Sequence, residues 1–367
     1  MTMPPLVLIT GATGHVGSAV LLHALRAGYT VRAAVRSESK AASVLARPQV
    51  QALNPGPRLS FAVVPDITAP GAYAAAAEDA THIIHIASPL ATGDKIPPEQ
   101  QYAHFVRPAV CGTLEMLQAA SRSGTVRRVV ITSSIVALVP FAELEGAVPR
   151  RAPVRPVDRV DPPTEPFDSE FAAYAASKAA ALVHAEAWAA RERPAFDIVH
   201  LHPSFVLGDN DGAAAPADAL RGTNGLVLAL LLGKRFGPYI GASVHVDDVA
   251  RAHVRALNVA AVPGNQSYIL SQPTRWNDAK GIVRRAFPAA VETRVLVARG
   301  NIGSVELPVD TSLTELVFGF RHISFEEQVK SVVGQFLELR SRNRPKAASS
   351  PASRASRGVL HQVRANA

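Results

Sequence analysis

Short apolar, β-branched stretches recur along the first part of the chain, and each is followed by a longer segment whose apolar positions fall three and four residues apart. Leu6 to Thr10, Thr30 to Val35, Leu59 to Val64, Thr81 to Ala87, Arg128 to Thr132 and Phe196 to Leu201 read as strands, and the segments between them as amphipathic helices. Strand alternating with helix predicts a parallel, doubly wound α/β sheet. The strands are apolar almost without interruption, as strands covered by helices on both faces must be. After Leu201 the alternation fades. Asp209 to Gly225 is rich in Gly, Ala and Asp, and Ile269 to Arg340 mixes helical patterns with scattered strands. The expected organisation is a sheet domain over 5–204, completed by parts of 241–271, with a smaller, discontinuous C-terminal substrate lobe from 205–240 and 272–340. Pro- and charge-rich residues from Pro149 to Glu170 form a long connection, of a length that is usually functional or mobile in compact domains.

Composition changes this picture little. With 367 residues and 48% hydrophobic content the chain can bury a large core. The net charge of +8 is concentrated at one end: 341–367 holds five Arg and one Lys with no acid, leaving +2 for the rest. That segment has almost no large apolar residues, cannot offset its ordering entropy and reads as a disordered basic tail. Without interleaved aromatics or an amphipathic repeat it predicts neither a nucleic-acid nor a membrane partner. Cys111 stands alone, which rules out an internal disulfide framework, and it sits in a helical pattern as a small packed residue. The run Leu226 to Leu232 is broken by Gly233-Lys234-Arg235 and is too short to span a bilayer, so it reads as a core or pocket helix. No charged region followed by an apolar segment precedes Leu6, and a cytoplasmic, reducing location is expected.

Two motifs carry the chemistry. Thr10-Gly11-Ala12-Thr13-Gly14-His15-Val16-Gly17 follows a strand and opens a helix. There Gly11 can make the turn, Gly14 can admit a pyrophosphate close to the backbone, and Gly17 can pack helix on sheet, which is the logic of a Rossmann dinucleotide site. The spacing G-x-x-G-x-x-G matches the general G-x-G-x-x-G pattern only loosely. The second strand ends in Arg36, with Lys40 beyond, where an NAD site would place an acid for the ribose 2′-hydroxyl. A cation there suits a 2′-phosphate, so NADP is expected over NAD, with a plain surface charge as the alternative for Arg36. Asp66-Ile67, after the third strand, is placed either to accept from the adenine amino group or as an ordinary exposed loop.

Downstream lies Tyr174-Ala175-Ala176-Ser177-Lys178. Four residues apart on a helix, Tyr174 and Lys178 share a face. A nearby ammonium is expected to lower the phenol pKa and let Tyr174 serve as an acid near neutral pH. Ser133-Ser134 ends a strand, at the sheet edge where open α/β sheets bind ligands, and Ser134 can hold a substrate oxygen for hydride attack. A metal is not called for.

With these motifs the chain resembles the extended short-chain dehydrogenase/reductases of the NAD-dependent epimerase/dehydratase superfamily, and among them dihydroflavonol, cinnamoyl-CoA and fungal aldehyde or ketone reductases. The resemblance runs over roughly 5–340. It is also carried by Tyr29 to Arg36, His85-Ile86-Ala87-Ser88-Pro89, Gly112-Thr113, Arg127 to Ser134, His202-Pro203-Ser204-Phe205-Val206-Leu207-Gly208 and Val244-His245-Val246-Asp247-Asp248-Val249-Ala250. It implies that Ser134, Tyr174 and Lys178 are catalytic, that Tyr174 donates the proton, that Lys178 also binds the nicotinamide ribose and that Arg36 grips the 2′-phosphate. Ala87 and Ser88 would pass along the cofactor, and Pro203, Ser204 and Val206 would line the nicotinamide. The His245 to Asp248 segment reads as a clamp between lobes. Family dimers pack through two long helices, here around 106–120 and 172–190, so a monomer or a homodimer is expected. Two departures stand out: Asp209-Asn210-Asp211-Gly212 follows Gly208 where relatives have Pro, and Glu115 replaces Asn. The expected activity is NADPH-dependent reduction of a small, moderately apolar aldehyde or ketone. A nucleotide-sugar epimerase or dehydratase with bound NAD is disfavoured by Arg36, and a non-catalytic NADP sensor by the presence of both Tyr174 and Lys178.

Overall fold

The structure, a computed structural model, describes residues 5–91 and 95–343. The strands are β1 (Leu6–Thr10), β2 (Thr30–Val35), β3 (Leu59–Val63), β4 (His82–His85), β5 (Arg128–Thr132) and β6 (Asp197–Pro203). They continue with β7 (Phe205–Leu207), β8 (Arg235–Ile240), β9 (Ala242–His245), β10 (Gln266–Leu270), β11 (Gln272–Pro273) and β12 (Asn301–Val305). Seven of them form one sheet in the order β10-β6-β5-β4-β1-β2-β3, and every neighbouring pair in it is parallel. The order reverses between β1 and β4, and such a switch point opens a crevice beyond the carboxyl ends of the strands.

The helices that matter here are α1 (His15–Arg26), α2 (Arg107–Ser123), α3 (Glu170–Glu192), α4 (Asn224–Leu231), α5 (Val246–Arg255) and α6 (Phe325–Arg342). Strand residues alternate between two cores. Val7, Ile9, Val31, Val199 and Leu201 meet Val20, Leu21 and Val249 of α1 and α5 on one face. On the other face Leu8, Ile83, Val129 and Ile198 meet Met116, Leu117 and Trp188 of α2 and α3. Both faces are therefore buried, as the uninterrupted apolar strands require. The fully buried Arg128 pins two strands through Asp197, at 2.5 and 2.8 Å, and donates to the Ala256 carbonyl at 2.7 Å.

A third core gathers Leu207, Leu228, Leu230, Trp276, Val333 and Phe336. It lies beneath two small sheets, β11-β9-β7 and β12-β8. The run from Leu226 was expected to line a core or a pocket. Val227, Leu228, Leu230 and Leu231 are fully buried, which makes α4 a core helix.

Three further details differ from the periodic reading. The strand expected to reach Ala87 stops at His85, because the Ile86 and Ala87 amides leave the ladder and donate to Thr10 Oγ1, each at 2.9 Å. The connection from Pro149 is not a loose flap. Arg150 bridges Glu143 and Asp158, both at 2.8 Å, and Val154 exchanges backbone hydrogen bonds with Pro308 and Asp310. Finally, α6 continues to Arg342, two residues into the segment expected to be a disordered tail, while 344–367 lie outside the described residues. Among the described residues no helix is long and apolar enough to cross a membrane.

Candidate active site

The glycine run forms the β1–α1 turn at the switch point. Gly11 has φ +73°, a left-handed conformation that disfavours a side chain, and a Cβ there would lie 3.0 Å from the Ala87 amide nitrogen. Ala87 and Ser88 can therefore run directly beside the turn. The Thr10 hydroxyl, accepting from both amides, donates to His85 Nδ1 at 3.1 Å. The Gly14 amide donates to the Gly11 carbonyl at 3.0 Å, and a Cβ on Gly17 would fall 2.0 Å from that oxygen, so α1 can approach the turn only without one. Thr13, His15 and Val16 complete a cradle whose helix N-terminus offers unpaired N–H groups to an anion.

Arg36 follows β2 and is exposed, as is Lys40 in the first turn of the next helix; among the described residues neither makes an ion pair. This fits a 2′-phosphate. Asp66 is exposed, and its Oδ1 is engaged by the Thr68 amide and hydroxyl at 2.8 and 2.7 Å, which holds the carboxyl below its ordinary range. The Ile67 side chain packs against Gly112 of α2. Pro203 and Ser204 stand at the carboxyl edge of β6, where Ser204 Oγ donates to the Leu270 carbonyl at 3.3 Å. Val206 differs from its neighbours: its side chain belongs to the core under α1 and α5 rather than to the crevice.

Ser134 follows β5 and caps a short 3-10 turn, its Oγ accepting from the Val136 amide at 3.4 Å. His202 holds it from behind. Because a carbonyl only accepts, the Ser134 carbonyl, 3.2 Å from His202 Nδ1, places the proton on that nitrogen, and Nε2 then accepts from Ser267 Oγ at 3.1 Å. Across the crevice α3 begins at the N-cap Ser169, whose Oγ accepts from the Ala172 amide at 3.1 Å. One face of this helix carries Tyr174 and Lys178, with Nζ 5.8 Å from the phenol ring centroid.

The electrostatics overturn one expectation. Burial pushes the Tyr174 phenol above its ordinary range, and the hydrogen bond to the Ser134 side chain only partly opposes this. Burial also pulls Lys178 itself down to about 8. Around this ammonium the imidazoles of His85 and His202, at about 3, and His200, at about 4, are kept neutral by burial.

Several neighbours of the site left no periodic signal. Arg47 donates from its guanidinium to the Ala12 and Thr13 carbonyls at 3.4 and 2.9 Å, which fixes the back of the glycine turn. His15 Nε2 donates to the Asp209 carbonyl at 3.1 Å. The Asp209 and Asn210 amides donate to Ser331 and Gln335 of α6 at 3.0 and 2.9 Å. The departure Asp209 to Gly212 thus forms a strap against the cofactor turn. Glu115, the second departure, accepts from the Gly71 amide at 2.8 Å and anchors a loop. His245 caps α5, while Asp248 pairs with Arg251 and accepts from the Ile323 amide at 2.6 Å, tying α5 to the C-terminal segment.

A model of the NAD dependent epimerase/dehydratase family matches residues 7–270. Ketoreductase CTB6 of Cercospora nicotianae is 42% identical over 91% of this chain and 95% of its own length. The NAD-dependent epimerase/dehydratase FUM13 of Gibberella moniliformis is 36% identical over 91% of this chain and 96% of its own. Among solved structures, yeast methylglyoxal/isovaleraldehyde reductase Gre2 complexed with NADPH superposes with a TM-score of 0.77 at 23% identity, covering 92% of this chain and 99% of that one. Motifs, fold and relatives agree, and the chain belongs to the NAD dependent epimerase/dehydratase family.

Proposed function

We propose that the protein reduces an aldehyde or ketone to the alcohol, with NADPH as the reductant. The observation that carries this reading is the convergence of Ser134, Tyr174 and Lys178 at the carboxyl edge of the sheet, next to the Gly11 turn and the Ala87-Ser88 segment. NADPH, when bound, supplies the hydride. Ser134 and Tyr174 hold the substrate oxygen, and Tyr174 gives its phenolic proton to that oxygen as negative charge develops on it. The Lys178 ammonium then stabilises the phenolate left behind. Arg36 and Lys40 hold the 2′-phosphate, and the small sheets with the third core form the lobe that closes on the substrate. The name of the 42% identical relative, a ketoreductase, supports the reaction class.

The substrate side is apolar. Partly buried Phe141, Phe171 and Phe205 pack on the cluster that also takes Tyr174, with Phe171 stacked on the Tyr174 ring at 6.5 Å and the exposed Tyr239 edge-on to Phe205 at 5.9 Å. Edge-on and stacked rings of this kind favour an aromatic or extended apolar carbonyl compound. The test is oxidation of NADPH, compared with NADH, across aromatic aldehydes, β-keto esters and dihydroflavonols, for the parent and Tyr174→Phe. Turnover with NADPH that falls on the order of 10²–10⁴-fold in the variant, with NADPH still bound, is expected. Protein that carries tightly bound NAD and reduces none of these compounds would point to the epimerase reading instead.

A further inference from the structure

The backbone of Ser134 is held by a row of side chains that runs out to the molecular surface. Behind it, His202 Nε2 lies 3.1 Å from Ser267 Oγ on the edge strand β10. Ser267 Oγ is in turn 3.3 Å from an Nη of Arg159, in the connection that begins at Pro149. Arg159 is itself fixed. Its guanidinium grips both carboxylate oxygens of Glu186 on α3, at 2.6 to 3.1 Å, and donates to the Pro156 and Asp158 carbonyls of its own connection at 2.9 and 2.6 Å.

The two ends of the row set its polarity, because a guanidinium only donates and a carbonyl only accepts. Ser267 Oγ accepts from Arg159, which leaves its single proton for His202 Nε2. The one ring proton of His202 then lies on Nδ1, toward the Ser134 carbonyl at 3.2 Å. Burial keeps this ring neutral, with its pKa at about 3, so it carries no second proton. Every bond thus points from Arg159 toward Ser134. Ser267 and His202 are both buried, where hydrogen bonds aligned in one direction polarise one another.

The row also ties together the two elements that must meet at the substrate oxygen. Glu186 lies on the helix that carries Tyr174, so Arg159 is bound on one side to the element bearing the phenol. On the other side it is bound, through Ser267 and His202, to the backbone that presents the Ser134 hydroxyl. We propose that Arg159 and Ser267 are positioning residues which, through His202, hold the Ser134 hydroxyl in register with the Tyr174 phenol. Both act through another side chain and neither takes part in proton or hydride transfer. The effect on turnover rests on the reductase reading, whereas the row of hydrogen bonds does not.

Two measurements test this. Nitrogen NMR of the cofactor-free protein, labelled at histidine, is expected to show His202 protonated at Nδ1 and bare at Nε2. The Nε2 resonance is expected to shift in Arg159→Ala, although the arginine reaches the ring only through Ser267. A ring protonated at Nε2, or a resonance that Arg159→Ala leaves in place, overturns the row. In NADPH-dependent reduction, Ser267→Ala and Arg159→Ala are each expected to lose roughly 10–100-fold in kcat, with KM for both substrates unchanged. The Arg159–Glu186 pair is 33% and 39% exposed and adds little stability, so Arg159→Ala is expected to melt near the parent's temperature. The double variant is expected to be no slower than the slower single one, as members of one row must be. Losses that multiply in the double variant, rates equal to the parent's, or losses that follow the melting temperature overturn the positioning role. If the parent reduces no carbonyl compound, that role falls with the reductase reading, and the NMR alone decides the row.

Discussion

Arg36 and Lys178 set what single side chains contribute. Arg36 is exposed, partnerless among the described residues and placed where β2 ends. A charged hydrogen bond to a phosphate contributes about 1.5–3 kcal/mol, so Arg36→Ala is expected to raise the KM for NADPH roughly 10–100-fold and leave that for NADH nearly unchanged. Equal effects on both would remove Arg36 from the cofactor site. Lys178, depressed to about 8 from 10.5, is an ammonium below that pH and neutral above it. Its support for the phenolate is therefore present at neutral pH and lost as pH rises through about 8, so kcat/KM should decline on the alkaline side. Lys178→Arg, which keeps its charge, should move that decline to higher pH. The side chains proposed to carry the chemistry were legible because Tyr174 and Lys178 are spaced for one helical face and Ser134 ends an apolar run. Arg47 and His200 were not. An arginine that grips carbonyls from another element and a histidine kept neutral by burial near Lys178 are defined by tertiary placement, and in sequence each looks like an ordinary polar residue.

At the scale of elements, α3 must hold Tyr174 against Ser134, and its entry is fixed by the Ser169 cap and the Glu170 side chain, which accepts from the Ile96 amide at 2.7 Å. Ser169→Ala is expected to cost about 1 kcal/mol of stability, lowering the melting temperature by roughly 2–4 °C. A larger fractional loss of kcat than of stability would mean that the cap also positions the phenol. A thermal melt run beside initial rates separates the two. The six strands read from periodicity all exist, because buried strands in this architecture must be apolar on both faces. The ends differ where a side chain intervenes, as Thr10 does when it captures the Ile86 and Ala87 amides. Of the small-sheet strands, β7 and β11 are too short for periodicity to reveal and β8 is exposed except at Ile240, so it carries no apolar run, and their pairing depends on contacts distant in sequence, such as Phe205 beside Ser243.

Across the whole molecule, burial of neutral histidines ties folding to pH. His85, His200, His202 and His253 are held at about 3 to 4 by desolvation, against 6.5 when unfolded. The unfolded chain thus binds protons that the native protein refuses, and stability is lost as pH falls from about 6.5 toward 4. By pH 5 each contributes a loss on the order of 2 kcal/mol, large against a typical total of about 5–15 kcal/mol. Urea unfolding midpoints should therefore drop steeply between pH 7 and pH 5, and His200→Asn should flatten part of that drop. Midpoints that stay level over this range would mean that these rings are hydrated in the native state.

The strap from Asp209 to Gly212 touches the glycine turn through His15 on one side and α6 through Ser331 and Gln335 on the other. Whatever settles the turn is thereby communicated to the segment that follows β7, which carries Phe205 at its start. The expected kinetic counterpart is a compulsory sequence of arrivals: nucleotide first, carbonyl compound second, alcohol leaving before the oxidised nucleotide. Product-inhibition patterns would display this order, with NADP competing against NADPH alone, and Ser331→Ala together with Gln335→Ala, which remove the side chains that hold the strap's amides, would relax it toward random addition.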